Sequence, residues 1–197
     1  TEITLGNADK EATIFYTLGD EFQLYNEPFK ISEKGILKVY AEKEGLKSKT
    51  ITTDFYKINP DIKINLKSKY ANQYNAGGDD ALIDGIIGAE DFRTGTWQGY
   101  FDTDLVALVD LGKVDNKEGK ITINFLEDQR SWIFLPIEVG CLVSSDGKSF
   151  RSLGKYNNLN TKEKEDVSVQ NYDFKYPPRF KVRYIKVIAK KLGILPK

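Results

Sequence analysis

Asp79-Asp80-Ala-Leu-Ile-Asp84-Gly85-Ile-Ile-Gly88 is followed, after a polar loop, by Gly95-Thr-Trp97-Gln-Gly99-Tyr100 and then by Asp104-Leu-Val-Ala-Leu-Val-Asp-Leu-Gly112. Three kinds of element are compressed into this stretch. The first is a turn rich in glycine and acid, where the backbone can bend tightly and aspartate oxygens can face a hard cation. The second spaces a tryptophan and a tyrosine with small residues. The third, residues 105–111, is apolar enough to predict a strand buried on both faces.

Working outward, the chain has 197 residues, long for one small domain and comfortable for two. Its 40% hydrophobic and 12% aromatic content can furnish real cores, which excludes global disorder. The 29 basic and 29 acidic residues cancel, so the basic excess of a nucleic-acid binder is missing. No apolar run approaches the roughly 20 residues of a membrane helix. Thr1 opens no signal peptide, and the chain reads as a mature fragment or an excised piece of a larger protein. The lone Cys141 has no internal partner and sits beside Val139, Leu142 and Val143, so it is expected to be a small buried hydrophobe. Histidine is absent, which removes Ser-His-Asp and Cys-His catalysis and every zinc site that relies on imidazole.

Residues 1–58 predict a compact unit of short strands. Ala12-Thr-Ile-Phe-Tyr-Thr-Leu18 is β-branched and aromatic and runs into a Gly19-Asp20 turn. Pro28-Phe-Lys-Ile31 is a short extended piece, Gly35-Ile-Leu-Lys-Val-Tyr-Ala41 alternates in part, and residues 50–58 supply a longer strand. No helical period persists, so an immunoglobulin-like sandwich is the economical reading.

Asn59-Pro60 marks a junction. Beyond it, residues 62–66 alternate as an opening strand, and Ile121, Ile123 and Phe125 share one face of another. Pro136 interrupts an apolar run over 133–143, and Ser144-Ser-Asp-Gly147 is a strong turn. Residues 162–166 (Lys-Glu-Lys-Glu-Asp) read as a solvated loop. Residues 167–174 and 180–189 predict the last strands, with Val182, Tyr184 and Ile188 on one face and Ile185 and Val187 on the other.

The order of motifs in residues 59–197 resembles discoidin-like (coagulation-factor C-type, galactose-binding-like) β-sandwiches. It rests on Ala81-Leu-Ile-Asp-Gly85, Trp97-Gln-Gly-Tyr100, Val109-Asp-Leu-Gly112, Ser145-Asp-Gly-Lys-Ser-Phe150 and Arg183-Tyr-Ile-Lys-Val187. Residues 1–58, through Phe15-Tyr-Thr17, Pro28-Phe29, Val39-Tyr-Ala41 and Gly45-Leu-Lys-Ser48, resemble the small sandwich that follows the catalytic barrel of chitobiase-type, family-twenty β-N-acetylhexosaminidases. The resemblance implies an all-β, two-domain, non-catalytic C-terminal region with carbohydrate-binding loops. It also implies a monomer, an upstream catalytic domain on the same polypeptide, and a secreted, periplasmic or cell-surface location. The glycan it implies carries N-acetylhexosamine or galactose-type sugars. Such modules continue past the Gly193-Ile-Leu-Pro196 position into a final strand whose acid joins a structural calcium site. By resemblance Asp84 and nearby carbonyls would hold that calcium, with Asp79 in reserve, although this turn alone supplies too few oxygens.

A sugar offers apolar C–H faces and many hydroxyls, so its site needs an exposed ring flanked by hydrogen-bonding side chains. Two loops have that composition: Phe92, Arg93, Trp97 and Tyr100 in one, Arg130 and Trp132 in the other. Each tryptophan could equally pack the loop or the core, and each arginine could be a surface charge. Glu127 and Asp128, adjacent on a strand, would point to opposite faces and are not read as a catalytic pair. A glycan-binding appendage, a structural brace for an upstream barrel or for protein contacts, and an independent enzyme remain as alternatives. The third lacks opposed acids in the sequence.

Overall fold

The computed structural model describes residues 2–55, 59–158 and 164–193. Among these the chain is all-β, with short 3-10 turns between the strands. Contacts divide it into two units, Thr1–Ile58 and Asn59–Lys197.

The first unit holds β1 (Glu2–Ile3), β2 (Thr13–Thr17), β3 (Gln23–Leu24), β4 (Phe29–Lys30), β5 (Gly35–Lys43), β6 (Leu46–Lys47) and β7 (Ile51–Phe55). β5 is the centre, antiparallel to β2 along one side and to β6 and β7 along the other. Side chains alternate across β2 and so build two aromatic groups. Phe15 stacks on Tyr40 at 5.2 Å, with Phe22 edge-on to the same ring. Tyr16, on the opposite face, stacks on Phe29 of β4 at 4.2 Å and so ties the small β1–β4 ribbon to the main sheet. Ile31, Leu37 and Thr17 are buried. The strand expected over residues 50–58 appears as β7, and positions 56–58 lie outside the described residues. β1 and β3 are too short to leave a periodic signal.

The second unit is a β-sandwich of β8 (Lys63–Leu66), β9 (Leu105–Asp115), β10 (Gly119–Glu127), β11 (Glu138–Ser144), β12 (Arg151–Asn157), β13 (Ser168–Tyr176) and β14 (Val182–Lys190). A five-stranded antiparallel sheet, ordered β12-β11-β14-β9-β8, faces the β10–β13 pair. Val139, Cys141 and Val143 of β11 meet Tyr172, Phe174 and Tyr176 of β13, with Ile121, Ile123 and Phe125 closing the layer. Cys141 is fully buried, and burial pushes its thiol up to about 12, so it behaves as a hydrophobe.

Two expectations need correction. Residues 105–111 are not buried on both faces: Leu105 and Ala107 are buried, while Val106 and Leu108 on the other face are half-covered. In β14, Val182 lies on the core side together with Ile185 and Val187. The ladder is irregular there: Val182 pairs with Asp115 and Tyr184 with Asp110, so the alternation of residues 184–189 does not extend back to Val182. Gly112 sits within this irregularity at φ 78°, and its N–H donates to Asp110 Oδ1 at 2.8 Å. β11 begins at Glu138, just past Pro136, and Ile137 already donates to Lys190 O and accepts the Asn158 N–H, each at 2.8 Å. The position of the expected final strand, 194–197 onward, lies outside the described residues.

The turn after β11 is held by one carboxylate. Asp146 accepts the N–H groups of Ser149 and Lys148, each at 2.8 Å, and the Ser144 hydroxyl at 2.8 Å. These donors, Ser149 first, lower its pKa from 3.8 to about 2. A depressed folded-state pKa stabilises above the unfolded value and is lost as pH falls through the folded one. The stability difference between the parent and Asp146→Asn is therefore expected to be fully present at neutral pH and to vanish between the values of 3.8 and about 2. Denaturation midpoints across that window check it, and a pH-independent difference would refute it.

Strand register places the site. Leu66 pairs with Ala107, Leu105 with Ala189, and Glu138 with both Lys190 and Asn157. Glu127 pairs with Ser168. The short β9–β10 turn sets β10 to run back toward the start of β9. All these strand ends consequently share one end of the sandwich. The connections over 67–104 and 128–137 emerge there, together with residues 164–167 that lead into β13, bringing both candidate loops to the same edge.

Candidate functional site

The most sharply defined feature of this end is the tip between β10 and β11. Asp128 and Ile133 exchange both backbone hydrogen bonds, at 3.0 and 2.9 Å, and close a four-residue tip. Inside it a 3-10 turn spans Gln129–Ser131. Asp128 caps that turn, its carboxylate accepting the Ser131 N–H at 3.3 Å. Trp132 ends it in the left-handed region at φ 61°, its N–H donating to Gln129 O at 3.1 Å. For a bulky residue this conformation is disfavoured, and it persists only because the closed tip dictates it. The leg beyond is anchored by buried Leu135 and by Asn158 Nδ2, which donates to Pro136 O at 2.7 Å.

Trp132 is consequently fixed in backbone yet 71% exposed, touching Phe134 edge-on at 6.3 Å. Arg130, on the same tip, is exposed and has no ion-pair partner among the described residues. Glu127 and Asp128 do not point to opposite faces of a strand. Glu127 ends β10 with only 1% exposure, and Asp128 has left the strand to cap the tip, also buried. Both are engaged inside the protein, so neither can serve as a free acid or base.

The other loop is a packed scaffold. Trp97 lies flat against Gly88, and its indole N–H donates to Ala89 O at 2.6 Å. Phe92 packs edge-on to Tyr74 at 6.1 Å. Arg93 is held by Asp91 at 2.8 Å, which raises its pKa, with Asp128 contributing at longer range. Tyr100 packs on the core and donates to Gln98 at 2.7 Å; burial, then Tyr70 and Asp79, raises its pKa. The structure therefore gathers Trp132 with Arg130, and it gathers Phe92, Trp97 and Tyr100 into a separate buttress.

Two residues passed over in the sequence stand out. Phe101 is 88% exposed. Its turn is fastened where Lys191 Nζ donates to Asp102, where Lys191 N–H donates to Asp104 at 2.9 Å, and where the Ser68 hydroxyl donates to Asp104 O. An isolated ring followed by Asp-Thr-Asp is the signal that could have found it. Lys164 stays exposed, as do Glu165 and Asp166 of the solvated charge run, and in addition pairs with Glu127 at 2.7 Å; positions 162 and 163 of that run lie outside the described residues.

The implied calcium fits poorly. Asp84 Oδ1 accepts the Ile86 N–H at 2.7 Å and Asp79 Oδ1 accepts the Tyr70 hydroxyl at 2.7 Å. Among the described residues no group of three or more acids, cysteines or histidines is placed to hold a metal. Calcium asks for six to eight oxygens. Adding about 1 mM calcium is therefore expected to move the Tm by less than about 1 °C, because a ligand stabilises only in proportion to its occupancy of the folded state. A rise of several degrees in a thermal melt would contradict this.

No protein-family model matches the chain, and no curated protein matches it. Solved structures similar to it include two accessory domains of glycan-acting proteins. One is the C-terminal domain of a chitobiase from Bacteroides fragilis, 20% identical, covering 71% of this chain and 87% of that one, with a TM-score of 0.41. The other is CpGH89CBM32-5 from Clostridium perfringens in complex with GalNAc-β-1,3-galactose, 19% identical, covering 68% and 87%, with a TM-score of 0.37. At these values neither likeness carries a functional argument. What the residues of this chain define is an all-β protein with one loop end that displays a fixed, exposed tryptophan beside an arginine. No helix among the described residues is long and apolar enough to cross a membrane.

Proposed function

We propose that the chain is a non-catalytic C-terminal region of a glycan-degrading β-N-acetylhexosaminidase, and that its second unit binds carbohydrate weakly through the loop end. One observation carries this reading: Trp132 is held in a left-handed backbone conformation while the residue is 71% exposed. A large ring fixed in water by a closed hydrogen-bonded tip has no packing purpose there, and its flat face suits the apolar face of a pyranose. The fork of Arg130 beside it can donate to hydroxyls or to an acetamido oxygen. Against catalysis stand the absence of histidine and the burial of Glu127 and Asp128. The sugars are of N-acetylhexosamine or galactose type, as the sequence resemblance implies, and the parent protein works outside the cytoplasm. The protein is expected to be a monomer that neither binds nucleic acid nor spans a membrane.

Phe101 extends the reading to longer glycans. It is exposed in the loop before β9, and Trp132 in the loop after β10, so two exposed rings belong to loops at the same end of the sandwich. A shallow site with one ring has a dissociation constant of ~0.1–1 mM, or roughly 4–5 kcal/mol. Tethering to a catalytic domain makes such affinity useful through effective concentration. Calorimetric titration with N-acetylglucosamine, N-acetylgalactosamine, galactose and their oligomers tests this. Saturable binding is expected in that range, and Phe101→Ala should weaken oligomers while sparing monosaccharides. Absence of binding by every sugar would leave the domains as a brace for the upstream barrel.

A further inference from the structure

We propose that Glu127, Lys164 and Gln129 form a clamp that sets the position of the Trp132 ring, making Glu127 and Lys164 positioning residues for the site. Its functional meaning rests on the glycan-binding reading; its geometry does not. Glu127 ends β10 with 1% exposure, among the most deeply buried side chains of the protein. A carboxylate so placed requires a cation and hydrogen-bond donors, because burial strips it of water. Lys164 supplies the first, with Nζ 2.7 Å from Oε2. Gln129 supplies another contact, its Nε2 donating to Oε1 at 3.0 Å.

Gln129 is the link to the ring. Its amide group donates to Glu127 through Nε2 and accepts the backbone N–H of Lys164 at 3.1 Å through Oε1. It is thereby gripped between the end of β10 and the segment that leads into β13. Its backbone carbonyl in turn accepts the Trp132 N–H. The ion pair and the amide are joined by hydrogen bonds, and the Gln129 residue itself links that network covalently to the carbonyl that holds the Trp132 N–H. An apolar residue at 127 would fill the same space without a desolvation cost, so the ion pair contributes geometry rather than net stability. Because the Lys164 side chain is 42% exposed, solvent screens part of the attraction, which again favours a directional role.

Fluorine NMR of fluorotryptophan-labelled full chain gives one signal for each of Trp97 and Trp132, assigned through Trp97→Phe. Lys164→Met is expected to shift and broaden the Trp132 signal, to leave that of Trp97 in place, and to weaken glycan binding by about tenfold. Lys164→Arg should preserve both. The double variant Glu127→Leu with Lys164→Met removes both charges, and it should recover the Tm while the Trp132 signal stays displaced. An unmoved Trp132 signal in Lys164→Met, or one restored in the double variant, would overturn the clamp. If the parent chain binds no sugar, the NMR result still decides the clamp, and the glycan reading alone fails.

Discussion

Trp132→Ala is expected to remove measurable glycan binding while leaving folding stability within about 0.5 kcal/mol of the parent. The two halves of this result have separate causes. Binding on the scale of ~0.1–1 mM amounts to roughly 4–5 kcal/mol, and stacking on the ring is its largest single part, so truncation pushes affinity out of range. Stability is spared because the residue is already 71% exposed and its neighbour in contact is the edge of Phe134. Backbone strain is unchanged, since alanine is no more at ease than tryptophan at φ 61°. Trp132→Gly should do slightly better than the parent, by up to about 1 kcal/mol, because glycine accepts that conformation freely. Titration calorimetry and urea denaturation of the three proteins check both halves. A loss of about 3–5 kcal/mol in Trp132→Ala would instead mean a buried ring, and would move the balance toward the bracing role.

The sequence made the fold class legible because strand-forming residues here are dense and local. Thr13–Thr17 is a run of β-branched and aromatic residues, and Ile121, Ile123 and Phe125 declare a period of two, both without help from the rest of the chain. What stayed hidden was set by pairing across the sheet. The break in alternation that leaves Val182 on the core side falls at the register shift between β14 and β9, and no periodicity within β14 reveals it. β1 and β3 exist only through pairing, β1 with the equally short β4 and β3 with the longer β2.

The site divides in the same way. Trp132 and Arg130 could be picked out by residue type, but exposure depends on the Asp128–Ile133 closure, which local propensity does not show. Trp97 has the same chemistry and a different situation, because Gly88 lies under its ring and Ala89 takes its N–H. Lys164 is exposed as its charged run suggests, but its ion-pair partner Glu127 lies 37 positions away in sequence and no local pattern reveals it. Composition names candidates, whereas long-range contacts decide which of them face solvent.

Gly88→Ala is expected to cost about 1–3 kcal/mol of stability and yet to leave monosaccharide binding in place. A Cβ at this position would lie 2.2 Å from Trp97 Cε2 and 2.5 Å from Cζ2, far inside contact distance. The backbone of Gly88 is not left-handed, so the penalty is one of space alone. Trp97 cannot slide away cheaply, because its N–H is tied to Ala89 O at 2.6 Å, the residue next to the methyl that displaces it. Moving the ring therefore breaks a hydrogen bond as well as a packing surface. Binding survives because the Trp132 tip is built from its own hydrogen bonds and not from residues 88–97. Loss of binding without loss of stability would instead place Trp97 against the sugar. The pairing of Gly88 with Trp97 can be isolated by combining Gly88→Ala with Trp97→Phe. The smaller ring leaves room for the methyl, so the double variant should cost less than the sum of the two single changes. Strict additivity, measured by urea denaturation, would mean that the loop absorbs the methyl by a backbone shift and that the two residues are not the packing unit they form here.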